Sequence, residues 1–549
     1  MAEEEIVEKD RQDTLMPGVR PRSVLASQCR LIQEQPSSRL GADKPRDSRS
    51  GQIENPVVRV DATLDTDRDS RQSIRSLTYI IAPVFATMTA STTQPGQASL
   101  PSASPTHSYW HSQPSQTLLD HRTTSQLPSS ATTVIVGSGI TGAFVARELI
   151  ENGASDVVML EARQACWGAT GRNGGHCQPL LYLTKPHIGR FELGTYHFLQ
   201  DLVRKETINC SWESTGGVHA IYSTAVLDLA RKAIQRLPSD LSSSVHLTTD
   251  PEKLQTLKLR DNAIAAIVQD HAAKCWPYKL VSHILEALVR TSSFNLQTIT
   301  PVTYIQRCAS SYIVHTDRGQ IAAENVVLAT NAYTSHLLPS FTGFITPVRG
   351  HVSALVPPDG QSLAHTYVWS IQKEGDAGES DDYLVQRPTG ELILGGERNA
   401  VTDGGVGISS DDEVDPIVAK RLRTVLSSIL KVGEHGIKEL EAKYEWSGIM
   451  GYSQDASPWV GRVPESLGGR DEGHGNLWVS AGYTGHGMPV AARCGIAVAE
   501  KILGKTKHVV DVPSEWLITQ ERVDGLKSLA MSDTMEDELR MLLESDGAF

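Results

Sequence analysis

The sequence predicts a mixed α/β (α+β) protein in which a parallel-sheet domain and an antiparallel-sheet domain are interwoven along the chain. Three stretches carry this prediction. Val134-Ile135-Val136 is a short β-branched run that feeds Gly137-Ser138-Gly139-Ile140-Thr141-Gly142 and then an apolar helical stretch, giving strand, glycine turn and helix in succession. Residues 476–481 form a second apolar run that enters a glycine loop at 482–488 and a small-residue helix at 489–503. Between them, residues 382–387 and 391–394 flank Pro388-Thr389-Gly390, the spacing and turn chemistry of a hairpin. Strand-helix units build parallel sheets and hairpins build antiparallel ones, so their alternation implies two domains made of each other's interruptions.

Each element has a local reason. In the first corner Gly137 allows the tight turn, Gly139 lets a pyrophosphate approach the main chain, and Gly142 lets helix and strand pack closely. The backbone of Ser138, Ile140 and Thr141 then leads phosphates to the helix N-terminus. The next apolar run, 157–160, ends in Glu161, placed to accept hydrogen bonds from ribose hydroxyls. After Ala162 and Arg163 comes a polar, glycine-dense loop holding Ala169, Thr170, Arg172, Asn173, Gly174, Gly175 and His176. Such loops follow the carboxyl ends of strands, where ligands bind in open α/β sheets. Arg172 and Asn173 bring donors suited to carbonyl and phosphate oxygens.

Taken with L-E-A-R, this loop resembles the FAD-binding segment of the D-amino-acid-oxidase-like (DAO) flavoprotein family, and its G-R-N-G-G form is similar to the γ-glutamylputrescine oxidoreductase-like branch. The resemblance implies FAD as cofactor and a Rossmann-like FAD-binding domain of the glutathione-reductase-2-like flavoprotein fold. It assigns Val302 a main-chain contact to adenine and returns the chain to the cofactor at Thr330, after the buried run 325–329. Gly482-Tyr483-Thr484-Gly485-His486-Gly487-Met488 matches the family's last flavin motif. There a helix N-terminus faces the pyrimidine ring, where a fixed dipole favours the reduced anion.

The composition excludes other classes. At 549 residues and a net charge of -13, the chain has room for several domains and no general basic field for nucleic acid or anionic membrane. Its seven cysteines include no C-x-x-C pair, which points to a reducing compartment and away from structural zinc, and no metal site is expected. The longest apolar run, 77–88, is short and contains Pro83, so no membrane span is expected and the cytoplasm is the default. Residues 1–107 read as a disordered N-terminal extension, rich first in charged and then in Ser, Thr, Pro and Gln residues. Met88 is an alternative start that would make 1–87 dispensable. The FAD-binding domain is expected at 108–190, 294–345 and 445–510, the substrate domain at 191–293 and 346–444, and an acidic tail at 511–549. Residues 108–111 and 118–127 are expected to pack as an arm, and the loops 373–382 and 403–415 to be exposed.

By resemblance the substrate is a small amine or amino acid whose C-N bond is oxidised to an imine, with oxygen as acceptor and peroxide as by-product. A neutral amine yields hydride without an obligatory base, so few catalytic groups are needed. His486 and His176, one in each glycine loop, are the candidates for substrate contact. Arg349, Tyr383, Arg387 and Tyr452 are weaker candidates, for each of which the structural reading is the better one. Two departures from the sarcosine-oxidase relatives matter. The lysine that follows their G-H-G-x element is Pro489 here, which disfavours a simple N-methyl amino acid, and their FAD-linking C-M-Y-T cysteine is absent from 448–453, which implies non-covalent FAD. A same-fold dehydrogenase with another acceptor, and a flavin-binding sorting or assembly protein, are the alternatives.

Overall fold

The computed structural model describes residues 94–526, less 359–361, 372, 374, 375, 377–379, 433–437, 472–474 and 508. The expected extension up to residue 93, the Met88 start and the tail beyond 526 lie outside the described residues.

The chain lays down β1 (Ser130–Val136) and β2 (Val157–Leu160), then departs for β3 (His176–Cys177), β4 (Glu213–Ile221), β5 (Val245–Thr248) and β6 (Ala265–Lys274). It returns for β7 (Phe294–Gln297), β8 (Val302–Arg307), β9 (Tyr312–Thr316) and β10 (Gly319–Leu328). A second departure makes β11 (Ile345–Leu355), β12 (His365–Trp369), β13 (Asp382–Gln386), β14 (Leu392–Gly395) and β15 (Ala442–Ser453), and the chain comes back for β16 (Trp459–Arg462) and β17 (Asn476–Ala481). The first set forms one sheet, ordered β16-β17-β10-β1-β2-β7 with β8 and β9 beyond; the departures form another, ordered β15-β11-β14-β13-β12-β4-β6-β3 with β5 on β6.

Both sheets follow from their residues. In the first, β17, β10, β1, β2 and β7 run parallel. Val134, Ile135, Val326, Val327 and Leu328 are fully buried, as continuous β-branched and leucine runs must be in a sheet covered on both faces. The second sheet is antiparallel, including the expected β13–β14 hairpin, except that β12 runs parallel to β4.

Sheet membership moves the expected boundaries. β3 already belongs to the second sheet at residue 176, and β15 carries that sheet to Ser453. Residues 94–107, which composition assigns to the disordered extension, pack on the body: Ala98 is buried and the Thr106 amide donates to Asp411 O at 2.7 Å. A segment without a core of its own is ordered here by hydrogen bonds to a surface that is already built. In the two loops expected to be exposed, Asp381, Asp403, Asp412 and Glu413 are exposed, but Asp382 and Asp411 are fully buried.

Helix α1 (Ile140–Glu151) starts from Gly139, which has no side chain to cap it, and stops at Asn152, with Gly153 at φ +84° as the left-handed residue beyond it. Behind α1 lies the helix Ala491–Ile502, with Gly495 at the crossing. Between β3 and β4 of the second sheet runs α2 (Pro186–Lys205), whose buried side carries Phe191, Tyr196, Leu199 and Glu192.

Candidate active site

A cavity of about 340 Å³ opens at the carboxyl ends of β1, β2 and β10, where Val136, Leu160 and Ala329 line it. This is where an open parallel sheet places its ligand. Of the individual cofactor-contact residues and the two histidines that the sequence points to, all but Gly142, Gly175 and Gly482 line this cavity. Those three set spacing instead. A Cβ on Gly142 would fall 2.0 Å from Gly137 O, while Gly175 and Gly482 hold positive φ of +68° and +76°.

The two glycine corners are joined directly. Tyr483, from the last glycine loop, shares a hydrogen bond with Thr141 Oγ1 at 2.9 Å and another with Ser480 Oγ at 2.8 Å. Burial holds its phenol well above the ordinary range, so it stays protonated and available for both contacts. Asn331 Oδ1 accepts from the amides of Gly482 at 3.0 Å and Tyr483 at 3.4 Å, tying the turn after β10 to the same loop.

The residues fit an adenosine diphosphate with a flat ring system attached. Glu161 is buried at the cavity wall; its Oε2 accepts from the Ser138 amide at 3.1 Å and hydroxyl at 2.6 Å, and its Oε1 from the Arg163 amide at 2.9 Å. Oε1, which accepts one bond, retains lone-pair capacity for a ribose hydroxyl. Gly139 leaves the wall bare, since a Cβ there would meet Thr170 Oγ1 at 3.1 Å, and Thr170 Oγ1 in turn accepts the Ile140 amide at 3.0 Å. Asn173 Oδ1 accepts from the Gly175 amide at 2.8 Å and fixes the second turn.

The arginines behave differently from the sequence expectation. Arg163 and Arg172 both pair with buried Asp411, at 2.9 Å and 3.0 Å. Arg172 also donates to Ser447 O and Thr106 O, each at 2.7 Å, so most of its donors serve the protein. Among the described residues its Nη1 is buried with no hydrogen-bond partner, one donor left at the cavity wall.

At the other end stand the two histidines. His486 Nε2 lies 3.1 Å from Oε2 of Glu192, which also accepts the Leu180 amide at 2.7 Å. His176 meets Thr366 Oγ1 at 3.0 Å and stacks on Tyr383, with centroids 6.4 Å apart. Burial, reinforced by the neighbouring His486, pushes His176 down to about 4, so it is neutral at pH 7.

Of the further candidates only Tyr383 lines this cavity. Arg349 is engaged by Glu413 at 2.7 Å, Arg387 lies over Trp110 and Trp276, and the Tyr452 hydroxyl donates to Asp381 at 3.4 Å. The reading missed Asp381, Arg398, His351 and Gln178, which line the wall from the second sheet and the segments beside it. Arg398 is 3% exposed, donates from Nε to Asp381 at 2.9 Å and lies over the Tyr452 ring. No motif marks these residues, because only the order of the second sheet brings them together. Among the described residues there is no cluster of His, Cys, Asp and Glu that could hold a metal, and no helix is long and apolar enough to cross a membrane.

A parallel sheet that presents two glycine corners and a terminal acid to one cavity defines a dinucleotide-binding oxidoreductase. Residues 132–501 match the family model described as DAO, FAD dependent oxidoreductase, and the chain belongs to that family. It is 22% identical over 397 residues to gamma-glutamylputrescine oxidoreductase of Escherichia coli, a match covering 68% of this chain and 84% of that relative. Among solved structures it resembles glycine oxidase from Geobacillus kaustophilus (TM-score 0.57, 20% identity, 72% of this chain and 99% of that one). It also resembles L-proline dehydrogenase from P. horikoshii (TM-score 0.53, 21% identity, 71% and 97%). FAD is the family's cofactor, and the residues lining the cavity fit it.

Proposed function

We propose that the protein oxidises the C-N bond of a small amine or amino acid to an imine, holding FAD without a covalent link. The observation that carries this reading is one cavity lined by both glycine corners and also by His176, His486 and Tyr383. The relatives act, by their names, on a glutamylated amine, glycine and proline, which fits the same substrate class.

In this reading the corner at 137–142 holds the pyrophosphate, Glu161 the ribose, Val302 the adenine, and the loop at 482–488 the flavin ring. FAD held there would supply the redox chemistry, two-electron oxidation of the substrate carbon with oxygen as the proposed final acceptor and peroxide as its product. The protein's part is placement and water exclusion. Neutral His176 adds no positive charge to repel an amine, and Glu192 fixes the His486 ring from behind. The Asp381–Arg398 pair belongs to the same end, since Tyr452, which bonds Asp381, lies 3.6 Å from a Cβ built on Gly485. That pair offers both a cationic and an anionic handle for an amino acid. Pro489 lines the wall where the sarcosine-oxidase relatives keep a lysine, which argues against a simple N-methyl amino acid. No cysteine lines the wall among the described residues, in keeping with non-covalent FAD, and the six described cysteines are free, in keeping with a cytoplasmic setting.

The test is anaerobic mixing of the FAD-loaded protein with a panel of amines and amino acids, followed by air. Bleaching of the flavin band and then peroxide release are expected. Bleaching without peroxide on aeration would make it a dehydrogenase, and no bleaching with any compound would sink amine oxidation. After acid precipitation the flavin is expected in the supernatant.

A further inference from the structure

We infer that residues 94–107 are part of the cofactor site, a strap that clamps the adenosine half of FAD; the inference rests on the FAD reading above. Leu100 and Pro101 line the same cavity as the two glycine corners. They are half-buried apolar side chains in a segment otherwise made of Ser, Thr, Pro, Gln, Gly, Ala and His, and no hydrophobic cluster of the core includes them.

The strap is fastened at both ends, to the helical turn that follows β10 and to the loop that follows β14. On one side Gln97 Nε2 donates to Ser335 O at 3.0 Å and the Ala98 amide to Ser335 Oγ at 2.9 Å, just after β10. On the other the Ser99 amide donates to Ser409 Oγ at 3.1 Å and the Thr106 amide to Asp411 O at 2.7 Å, in the loop after β14. Between these anchors Ser102 O accepts from Arg163 Nη1 at 3.5 Å. Arg163 is two residues past Glu161 and its amide is bonded to that carboxylate, so the strap passes beside the acid that faces the ribose. That location selects the adenosine half over the flavin half.

The chemistry matches. An aliphatic chain and a pyrrolidine ring make a flat apolar surface suited to a purine face, and both lose water when it is covered. The matched family segment begins at residue 132, so this wall is supplied from outside it.

The experiment uses the full chain stripped of flavin, comparing wild type with Leu100→Gly/Pro101→Gly and with the milder Leu100→Ala. FAD and riboflavin binding are followed by flavin fluorescence, ADP binding by calorimetry, and folding of each apoprotein by its thermal midpoint. In the double variant the Kd for FAD and for ADP is expected to rise about tenfold, the loss of roughly one buried aliphatic contact, with riboflavin unchanged. Leu100→Ala is expected to move both in the same direction by less. Unchanged FAD and ADP affinities in folded variants would overturn the strap, and equal weakening of riboflavin would overturn its adenosine assignment. Wild-type chain that binds no FAD would remove the cofactor reading itself, a result distinct from either.

Discussion

Asp411 has no exposed surface and sits between two guanidiniums, Arg163 at 2.9 Å and Arg172 at 3.0 Å. Arg172 is 2% exposed, and burial pushes it down to about 10 despite the carboxylate beside it. Removing the shared anion would leave two like charges desolvated and adjacent, where breaking a buried pair costs about 3–5 kcal/mol. Asp411→Ala is therefore expected to lose that much stability in urea denaturation at pH 7; a loss below about 1 kcal/mol would show the pair to be effectively solvated. The same cluster shows what a sequence can and cannot reveal. Gly142 is legible because its constraint lies within its own turn, where a Cβ would meet Gly137 O, and Gly137 because its φ of +105° is the demand of that turn; Gly139 is crowded by Thr170, from the next loop. Arg163 and Arg172 sit in the loop that follows β2 and read as part of the cofactor site, yet their partner lies 248 residues from Arg163. Glu192, behind His486, is 294 residues away and equally invisible. Buried ion pairs of this kind have no local pattern to betray them.

Helix α1 and the helix Ala491–Ile502 fix the separation of the two glycine corners. A Cβ on Gly495 would stand 2.6 Å from Thr141 O and 3.3 Å from Val145 N, both main chain, so the second helix touches α1 backbone to backbone. Thr141 belongs to the first corner and bonds Tyr483 of the second, so any opening between the helices pulls on that hydrogen bond. Gly495→Val is expected to lower the thermal midpoint by several degrees and the flavin-to-protein absorbance ratio with it. Wild-type flavin content in a destabilised variant would show that the corners do not depend on this crossing. Strand-turn-helix units were legible here because apolar periodicity and glycine placement lie within twenty residues. The second sheet was legible only as hairpins. Its parallel β4–β12 contact and the two-residue β3 follow from how distant segments stack, which no window of sequence contains.

At the scale of the molecule, acid is the expected weakness. Burial holds four histidines far below their ordinary 6.5: His111 at about 3, helped by Arg172; His176 at about 4, helped by His486; His219 at about 3, helped by His176; and His351 at about 4, helped by Arg349. Each is neutral in the fold and takes a proton in the unfolded chain below pH 6.5. The unfolded state therefore binds more protons, and stability falls as pH drops from 6.5 toward 4 and 3. The slope is about 1.4 kcal/mol per pH unit for each histidine, so four together can consume much of a typical 5–15 kcal/mol within two units. Three of the four, His176, His219 and His351, lie on strands β3, β4 and β11 of the second sheet, and His176 and His351 also line the cavity. Acid unfolding and flavin release are thus expected to run together. His219 is the cleanest probe, since it does not line that cavity and its ring bonds only the Gln178 amide at 2.6 Å and the Tyr182 hydroxyl at 2.7 Å among the shorter contacts. His219→Asn is expected to lower stability at pH 7 and to flatten the dependence between pH 6 and 5 by about 1.4 kcal/mol per unit. Denaturant midpoints measured at half-unit steps decide it: a slope equal to wild type would mean His219 is already protonated in the native protein, and the burial that makes the second sheet acid-labile would have to be sought elsewhere.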